Sequence, residues 1–331
     1  MLPNWLYGKS KSKLASILGG GGTPSDYNKV KAQVAQNKED IALLSDALDG
    51  KAALTQITNP NILHNPWFQV NQRNVTESTS NGYFVDRWRA LCATTGTTTY
   101  TLNSDGTITI DNSLGETQAY FIQRRTAKTI SRIAGKIITA SIMLSDGTVH
   151  SGSGVYKDAE TANYYEDGDI KIQSIAQNNG QFFVLRIEAG KTITIKALKL
   201  ELSSVSTLAM DTAPDMALEL AKCQRYFIRY ANNTQYNTHA VIGVAQTATN
   251  IYVDLILPSQ MRAKPTLLAP SISIEAPGTM TVSGTPSVIF GAALMNNIVR
   301  LTITGLTDLT VGTPYYFIIN ANSYLDFDAE L

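Results

Sequence analysis

Apolar residues recur with two different periods along this chain. Between residues 27 and 48 they are separated alternately by three and four residues, with lysine and acidic residues outside them. This alternation is typical of the a/d seam of a coiled coil and is narrower than the apolar face of a helix packed on a globular core. It predicts a short helical stalk whose seam consists of Tyr27, Val30, Val34, Asn37, Ile41, Leu44 and Leu48.

Asn37 places one polar side chain inside this predicted seam. A buried asparagine lowers stability but fixes the register and the number of strands of a coiled coil. The Val34-Ala-Gln-Asn37 spacing resembles the valine–asparagine layers of trimeric adhesin stalks, in which asparagines surround an anion on the axis. We therefore expect a parallel homotrimer with an anion at Asn37. The alternative is an amphipathic helix packed on its own β-domain.

Beyond residue 60 the chain changes to runs of β-branched and aromatic residues, with Asp-Gly turn signals between several of them. Period-two alternation is clearest in 107–110 and 192–196, which predicts strands with one face in solvent. The strands predicted for a first β-domain are 97–102, 107–110, 119–123, 137–143, 170–173, 181–187 and 192–200. Those predicted for a second are 240–244, 250–256, 271–274, 280–282, 288–290, 298–303 and 315–319.

Thr212 and Asp215 have capping-box spacing, which predicts a helix that extends to about Tyr226 and joins the two β-domains. The expected fold is therefore mainly β, with two antiparallel, jelly-roll-like β-sandwich domains. The predicted domains are a docking peptide with a glycine hinge (1–22), a coiled-coil stalk (23–58), a β-sandwich (59–210), and a connecting helix with a C-terminal β-sandwich (211–331).

Composition narrows the function classes. The 331-residue chain has a formal net charge of zero, which argues against nucleic-acid binding because that needs a net basic face. The longest apolar runs are too short to span a bilayer, so no membrane insertion is expected. Cys92 and Cys223 are too few for a disulfide scaffold and are expected to be buried thiols.

The N-terminal segment, residues 1–18, has three lysines, no acidic residue and more apolar side chains than so short a segment can bury against itself. Gly19 to Gly22 then provide a flexible joint. A frayed terminus and a docking peptide that orders on another protein are both open. An interfacial membrane helix is disfavoured because the apolar positions do not line one face. The predicted docking residues are Trp5, Leu6, Tyr7, Lys9, Lys11 and Lys13.

Two sequence blocks suggest a family. The first is Asn65-Pro-Trp-Phe-Gln-Val-Asn-Gln-Arg73 followed by Asp86-Arg-Trp88. The second begins with Lys199-Leu-Glu-Leu202 and continues with Pro214-Asp-Met-Ala-Leu-Glu-Leu-Ala-Lys-Cys-Gln-Arg-Tyr-Phe227 and Leu257-Pro-Ser-Gln-Met-Arg-Ala-Lys-Pro265. Together they resemble bacteriophage tail-fibre and receptor-binding proteins.

That resemblance implies a structural and adhesive protein, made in the bacterial cytoplasm and carried on the phage particle. Such a protein would dock on another virion protein through residues 1–22 and bind a host-surface glycan with its distal β-domains. A capsid fibre of the same architecture and a polysaccharide-degrading enzyme are the alternatives.

Catalytic motifs are scarce. The three histidines lack metal-ligand spacing, and no nucleophile motif or phosphate-binding glycine loop is present. We therefore expect a non-enzymatic protein with no catalytic residues and no cofactor. The acidic stretch from Glu166 to Asp169 leaves two weaker hypotheses, a glycosidase carboxylate pair and a calcium site near Asp167.

Sugar binding needs an aromatic platform with polar groups beside it, because a pyranose has an apolar face and a rim of hydroxyls. Two polar stretches combine tyrosines with amide side chains, and plain exposed loops are the alternative in both. The candidate glycan-binding residues are Tyr156, Tyr164, Tyr165, Tyr230, Asn233 and Tyr236.

The charged and aromatic residues of the first block are expected to stabilise the fold. Asp86 should pair with Arg87 or Arg73, and Trp88 should pack against Trp67, so that the first β-domain is pinned to the stalk. The acidic residues Asp326, Asp328 and Glu330 are expected to form a surface tip.

Overall fold

The computed structural model describes residues 28–29, 31–41, 59–157, 160–177, 180–269, 271–277, 282–293 and 297–330. The chain divides into two units, Met1–Thr58 and Asn59–Leu331, and each is described by itself.

In the first unit, residues 31–41 are helical, as predicted. Val34 and Ile41 are 50% and 66% exposed, and the Asn37 side-chain oxygen accepts a hydrogen bond from Gln33 Nε2 at 3.1 Å. Exposed apolar side chains at seam positions are compatible with a coiled coil, which stays a prediction. The remaining seam residues Tyr27, Val30, Leu44 and Leu48 and the docking residues Trp5, Leu6, Tyr7, Lys9, Lys11 and Lys13 lie outside the described residues.

The first β-region of the second unit contains two six-stranded antiparallel sheets with its core between them. One sheet has the order β1 (Glu77–Ser78), β4 (Gly96–Leu102), β5 (Ile108–Gly115), β12 (Lys191–Glu201), β7 (Ile137–Leu144) and β8 (Val149–Val155). The other has the order β2 (Gly82–Val85), β3 (Trp88–Leu91), β6 (Ala119–Arg125), β11 (Gly180–Ile187), β10 (Ile170–Gln177) and β9 (Ala162–Glu166). Helix α1 (Ala127–Ile133) connects β6 to β7.

The two sheets approach each other closely where edge strands β8 and β9 meet. A Cβ atom at Gly152 would lie 1.6 Å from the carbonyl oxygen of Tyr164. Only glycine therefore allows the backbone of β8 to pass this close to β9.

Aromatic packing around Trp88 forms the centre of this first core. The Trp88 ring stacks on Phe121 with 4.9 Å between centroids and meets Phe68 and Phe183 edge-on. The predicted contact between Trp88 and Trp67 is wrong, because Trp67 packs on a separate small cluster that includes Leu208. Trp88 lies in the main core, whereas Trp67 lies against Met143, Ala197 and Leu208.

The second β-region has one small and one large antiparallel sheet. The small sheet has the order β13 (Phe227–Asn232), β21 (Ser323–Asp328) and β16 (Thr266–Leu268). The large sheet has the order β17 (Ile272–Glu275), β20 (Pro314–Ile319), β14 (Thr238–Ala245), β15 (Ile251–Ile256), β19 (Ile298–Leu306) and β18 (Gly284–Ala293). Alternating side chains of β15 are buried in a second, mainly aliphatic core.

A short 3₁₀ turn (Leu208–Met210) and helix α2 (Met216–Gln224) join the two β-regions. The predicted connecting helix is therefore present, but its cap differs from the prediction. Asp215 is itself the N-cap, and its side chain accepts hydrogen bonds from the backbone N–H groups of Ala217 and Leu218.

The coarse prediction of a mainly β chain with antiparallel sheets is confirmed. Every predicted strand overlaps an observed one except 280–282, which lies largely outside the described residues. The jelly-roll connectivity and the domain boundaries stay predictions.

Candidate functional site

The two sequence blocks meet where the first β-region contacts the second. Asn65 organises the start of this contact. Its backbone N–H donates to Glu219 Oε2 at 2.7 Å, and its side chain bonds to the backbone of Val70 and Asp86. Asn65 has a positive φ of 49°, a left-handed conformation that asparagine tolerates better than most residues.

A buried network of ion pairs, the joint (Arg73, Asp86, Arg87, Asp328 and Glu330), then links the two β-regions. Arg73 contacts Asp86 at 3.2 Å and Asp328 at 3.1 Å, and Arg87 pairs with Glu330. The predicted Asp86–Arg73 contact is confirmed. The Arg73–Asp328 and Arg87–Glu330 pairs join the first β-region to the second, whereas the Arg73–Asp86 pair lies within the first.

The predicted acidic surface tip is wrong for two of its three residues. Asp326 is buried and accepts two hydrogen bonds from Arg229, both at 2.7 Å, while the Glu330 side chain is 1% exposed. Asp328 is the more accessible member, with a side chain that is 37% exposed. The reason is that arginines from distant parts of the chain compensate these acids, so that they can be buried.

Burial dominates the ionisation of the joint. It outweighs the nearby Arg73 guanidinium and raises the pKa of Asp86 to about 6. Burial likewise raises the pKa of Glu330 against the opposing effect of Arg87. Burial, together with the charge of Arg87, lowers the pKa of neighbouring His64 to about 3, so that this imidazole is neutral. In both carboxyl groups, burial therefore favours the neutral form more than the neighbouring arginine favours the charged form.

The first group of candidate glycan residues lies mostly inside the protein. Tyr156 is 1% exposed and Tyr164 is 8% exposed, so neither ring offers a face to a ligand. Tyr164 and Tyr165 lie on strand β9 and not on the predicted loop.

The Tyr165 hydroxyl lies at the partly exposed end of this group. It donates to Asp167 Oδ2 at 2.7 Å and lies 2.7 Å from His150 Nδ1. Burial, followed by the hydrogen bond to Asp167, raises the pKa of Tyr165 to about 12.

The acidic stretch beside these tyrosines shapes a turn. Asp167 accepts hydrogen bonds from the backbone N–H groups of Asp169 and Ile170, and Asp169 pairs with Lys191 at 2.6 Å. Within the part of the chain that the structure describes, no group of three or more His, Cys, Asp or Glu residues is placed to hold a metal ion.

Of the second group of candidate residues, Tyr230 lines an open cleft, the Tyr230 cleft, at edge strand β13, whereas Asn233 and Tyr236 are not among its lining residues. Its volume is about 330 Å³, within the range of ligand-binding pockets. The residues that line the Tyr230 cleft are Arg229, Tyr230, Ala231, Asn232, Leu255, Ile319 and Leu325.

Tyr230 is held firmly beside this cleft. Its ring packs edge-on against Phe327, with centroids 6.0 Å apart, and its hydroxyl donates to the backbone oxygen of Ile256 at 3.1 Å. Burial raises the pKa of Tyr230, so the hydroxyl is neutral at physiological pH. Buried Leu255 and Leu325 add apolar surface to the same cleft.

Asn232 fixes the loop that follows β13. Its side-chain nitrogen donates to the backbone oxygens of Tyr236 and Ile319, each at 2.8 Å, and its side-chain oxygen accepts from Thr234. The Tyr236 side chain is nevertheless 70% exposed, and Asn233 is exposed beside it. The loop therefore has a fixed backbone and presents an aromatic ring to solvent.

The sequence pointed to Tyr230, Asn233 and Tyr236 but missed the apolar surface of the cleft. Leu325 comes from β21, which pairs with β13, whereas Leu255 and Ile319 come from β15 and β20 of the large sheet, so only the tertiary structure brings them together. Arg229, Ala231 and Asn232 also line the cleft, and their adjacency to Tyr230 in the sequence could have suggested them.

Both cysteines are free thiols. Cys223 is buried as predicted, whereas Cys92 is only partly buried. None of the described helices combines the length and hydrophobicity that a bilayer crossing requires.

No protein-family model matches the chain, and no curated protein or solved structure shows a significant similarity to it.

Proposed function

We propose that this chain is a non-enzymatic adhesive protein of a bacteriophage particle that binds a host-surface glycan in the Tyr230 cleft. The observation that carries the proposal is the cleft itself, an opening of about 330 Å³ that combines a tyrosine with both polar and aliphatic side chains. The two sequence blocks that resemble phage appendage proteins support the assignment to a virion.

The chemistry of the cleft suits a neutral sugar. A pyranose can place its apolar face on an aromatic ring while its hydroxyls bond to polar groups. Arg229 is already engaged by Asp326 and by the backbone oxygen of Arg73, so it adds little free positive charge. Edge strand β13 supplies backbone donors and acceptors at the same place.

Several linked clefts would compensate for the weak binding expected of a single small cleft. A parallel homotrimer through the predicted stalk would hold three clefts together, and linked weak sites gain avidity without a new contact. Docking of residues 1–22 on another virion protein, in a tail or a capsid fibre, would repeat this arrangement on the particle.

The proposal can be tested with a variant that fills the cleft and removes no hydrogen bond or ion pair. Ala231 lines the cleft and is exposed, so Ala231→Trp should fill it, whereas Ser287→Trp adds the same bulk at an exposed position on edge strand β18. Binding of the full-length protein to a glycan array and to host cells is measured for both variants.

We expect Ala231→Trp to lose at least about tenfold in apparent affinity, or roughly 1.4 kcal/mol, and Ser287→Trp to bind like the wild type. Wild-type protein that binds no glycan, or equal binding by a folded Ala231→Trp variant, would contradict the proposal.

A further inference from the structure

Four arginines from three separate segments surround a small notch beside the joint. Arg87 comes from the β2–β3 turn, Arg124 and Arg125 from the end of β6, and Arg262 from the segment between β15 and β16. Thr126 and Tyr226 complete what we call the arginine notch, whose volume is about 10 Å³. That volume is close to the space of one water-sized sphere.

The charge of this cluster is not balanced within the described part of the chain. Arg87 pairs with Glu330. Arg125 donates to Ser174 Oγ and to the backbone oxygen of Phe182, and Arg262 donates to a backbone oxygen, but none of these partners is acidic. Arg124 likewise has no carboxylate partner among the described residues. Three arginines without a carboxylate partner among the described residues therefore line one small notch, in a chain whose formal net charge is zero.

Three donor atoms of residues at the notch also lack a hydrogen-bond partner. Arg87 and Arg125 are 3% and 5% exposed, and the Nε atom of Arg87 and the Nε and Nη1 atoms of Arg125 are buried without a hydrogen bond. Native proteins rarely leave a buried donor unpaired, and each such atom suggests an acceptor that binds there.

Tyr226 fixes two of the guanidinium groups. The Arg87 guanidinium lies 3.4 Å from the Tyr226 ring centroid and that of Arg262 lies 5.5 Å from it. Stacking of this kind limits the movement of the guanidinium planes, and the planar fork of arginine matches the oxygens of carboxylates, sulfates and phosphates.

We propose that the arginine notch binds a single oxyanion group, a carboxylate, sulfate or phosphate, with one oxygen in the notch and the remainder of the group against Arg124 and Arg262. The small volume admits one oxygen and keeps the rest of the ligand outside, which suits a free oxyanion as well as an acidic group on a larger sugar. This site is separate from the Tyr230 cleft and does not depend on glycan binding there.

Arg124 is the residue to test, because no described hydrogen bond or ion pair depends on its side chain. Arg124→Gln removes one charge from the notch. Arg89→Gln, at an exposed position on β3, removes one charge elsewhere in the same sheet. Titration calorimetry on the full chain, at constant ionic strength, would use sulfate, glucuronate and neutral glucose as probes.

We expect sulfate, glucuronate or both to bind the wild type, with an affinity at least tenfold lower in Arg124→Gln and unchanged in Arg89→Gln. Equal thermal unfolding of the two variants would show that the loss is local. Binding of glucuronate alone would assign the site to an acidic sugar, and binding of sulfate as well would show that a free oxyanion suffices.

Failure of both anions to bind would overturn the proposal, as would equal affinities in the two variants. Neither result bears on the Tyr230 cleft, which Ala231→Trp tests independently.

Discussion

Two sets of arginine–carboxylate pairs in this chain differ in their surroundings more than in their chemistry. On the outer face of the large sheet, Arg300 binds Asp254 through two contacts of 2.7 Å, and both side chains are more than a third exposed. In the joint, Arg73 contacts Asp86 at 3.2 Å, but the two side chains are only 9% and 1% exposed.

The Arg300–Asp254 pair has the shorter contacts but is expected to contribute less to the free energy of unfolding. An exposed ion pair exchanges good contacts with water for good contacts within the protein, and its net contribution is small. Removing one partner of a buried pair leaves a charge without compensation, and this is strongly destabilising. The exposure of the side chains, and not the distance between their charged atoms, should therefore decide which pair contributes more to stability.

The largest effect should come from Glu330→Ala. This variant leaves the buried Arg87 guanidinium without its carboxylate, at the contact between the two β-regions. We expect the free energy of unfolding to fall by about 3–5 kcal/mol, measured by urea denaturation. A loss below about 1 kcal/mol would show that the buried pair contributes no more to stability than an exposed pair does.

The stability difference between the wild type and Asp86→Asn should depend on pH. Because the pKa of Asp86 rises from 3.8 to about 6 on folding, the native state binds the proton more tightly than the unfolded state does. The contribution of this carboxyl is therefore fully present below about pH 4 and is lost as the pH rises through 6.

Relative to Asp86→Asn, the wild type should gain up to about 1.4 kcal/mol per pH unit as the pH falls from 6 to 4. His64 acts in the opposite direction, because its pKa is lowered. It is present in both proteins, however, and cancels in the difference. Urea denaturation at several pH values checks this, and a difference that does not vary with pH would show that Asp86 is not held in the buried state.

The sequence allowed most strands to be predicted but not the joint. Strand 192–200 was evident because its apolar and polar residues alternate, and the structure places β12 there. Strand β21 (Ser323–Asp328) was missed because its acidic residues indicated a surface tip. Arg73 and Asp328 are 255 residues apart, so nothing local in the sequence shows that these charges compensate each other.

Strands with small or polar residues were missed for a related reason. Strand β8 (Val149–Val155) contains serine and glycine because its backbone passes close to Tyr164, which is a tertiary requirement. Of the candidate site, the aromatic and amide residues around Tyr230 could be chosen from local composition. The arginine notch could not, because it is assembled from three segments that lie far apart in the sequence and belong to both β-regions.

The smallest change in the free energy of unfolding should come from the exposed Arg300–Asp254 pair. Asp254→Asn keeps the shape of the side chain at its position opposite Arg300 and removes only the charge. Its hydrogen bonds with Arg300 lower the pKa of Asp254, so its contribution is present at neutral pH and is lost as the pH falls through that lowered value. We expect a change in the free energy of unfolding below about 1 kcal/mol at pH 7, which decreases further when salt is added, because solvent ions screen exposed charges. A loss of stability as large as that of Glu330→Ala, or one that high salt does not reduce, would contradict this expectation. It would show that the outer face of the large sheet is shielded from solvent in the assembled protein. The difference between the two pairs would then be due to assembly and not to burial within one chain.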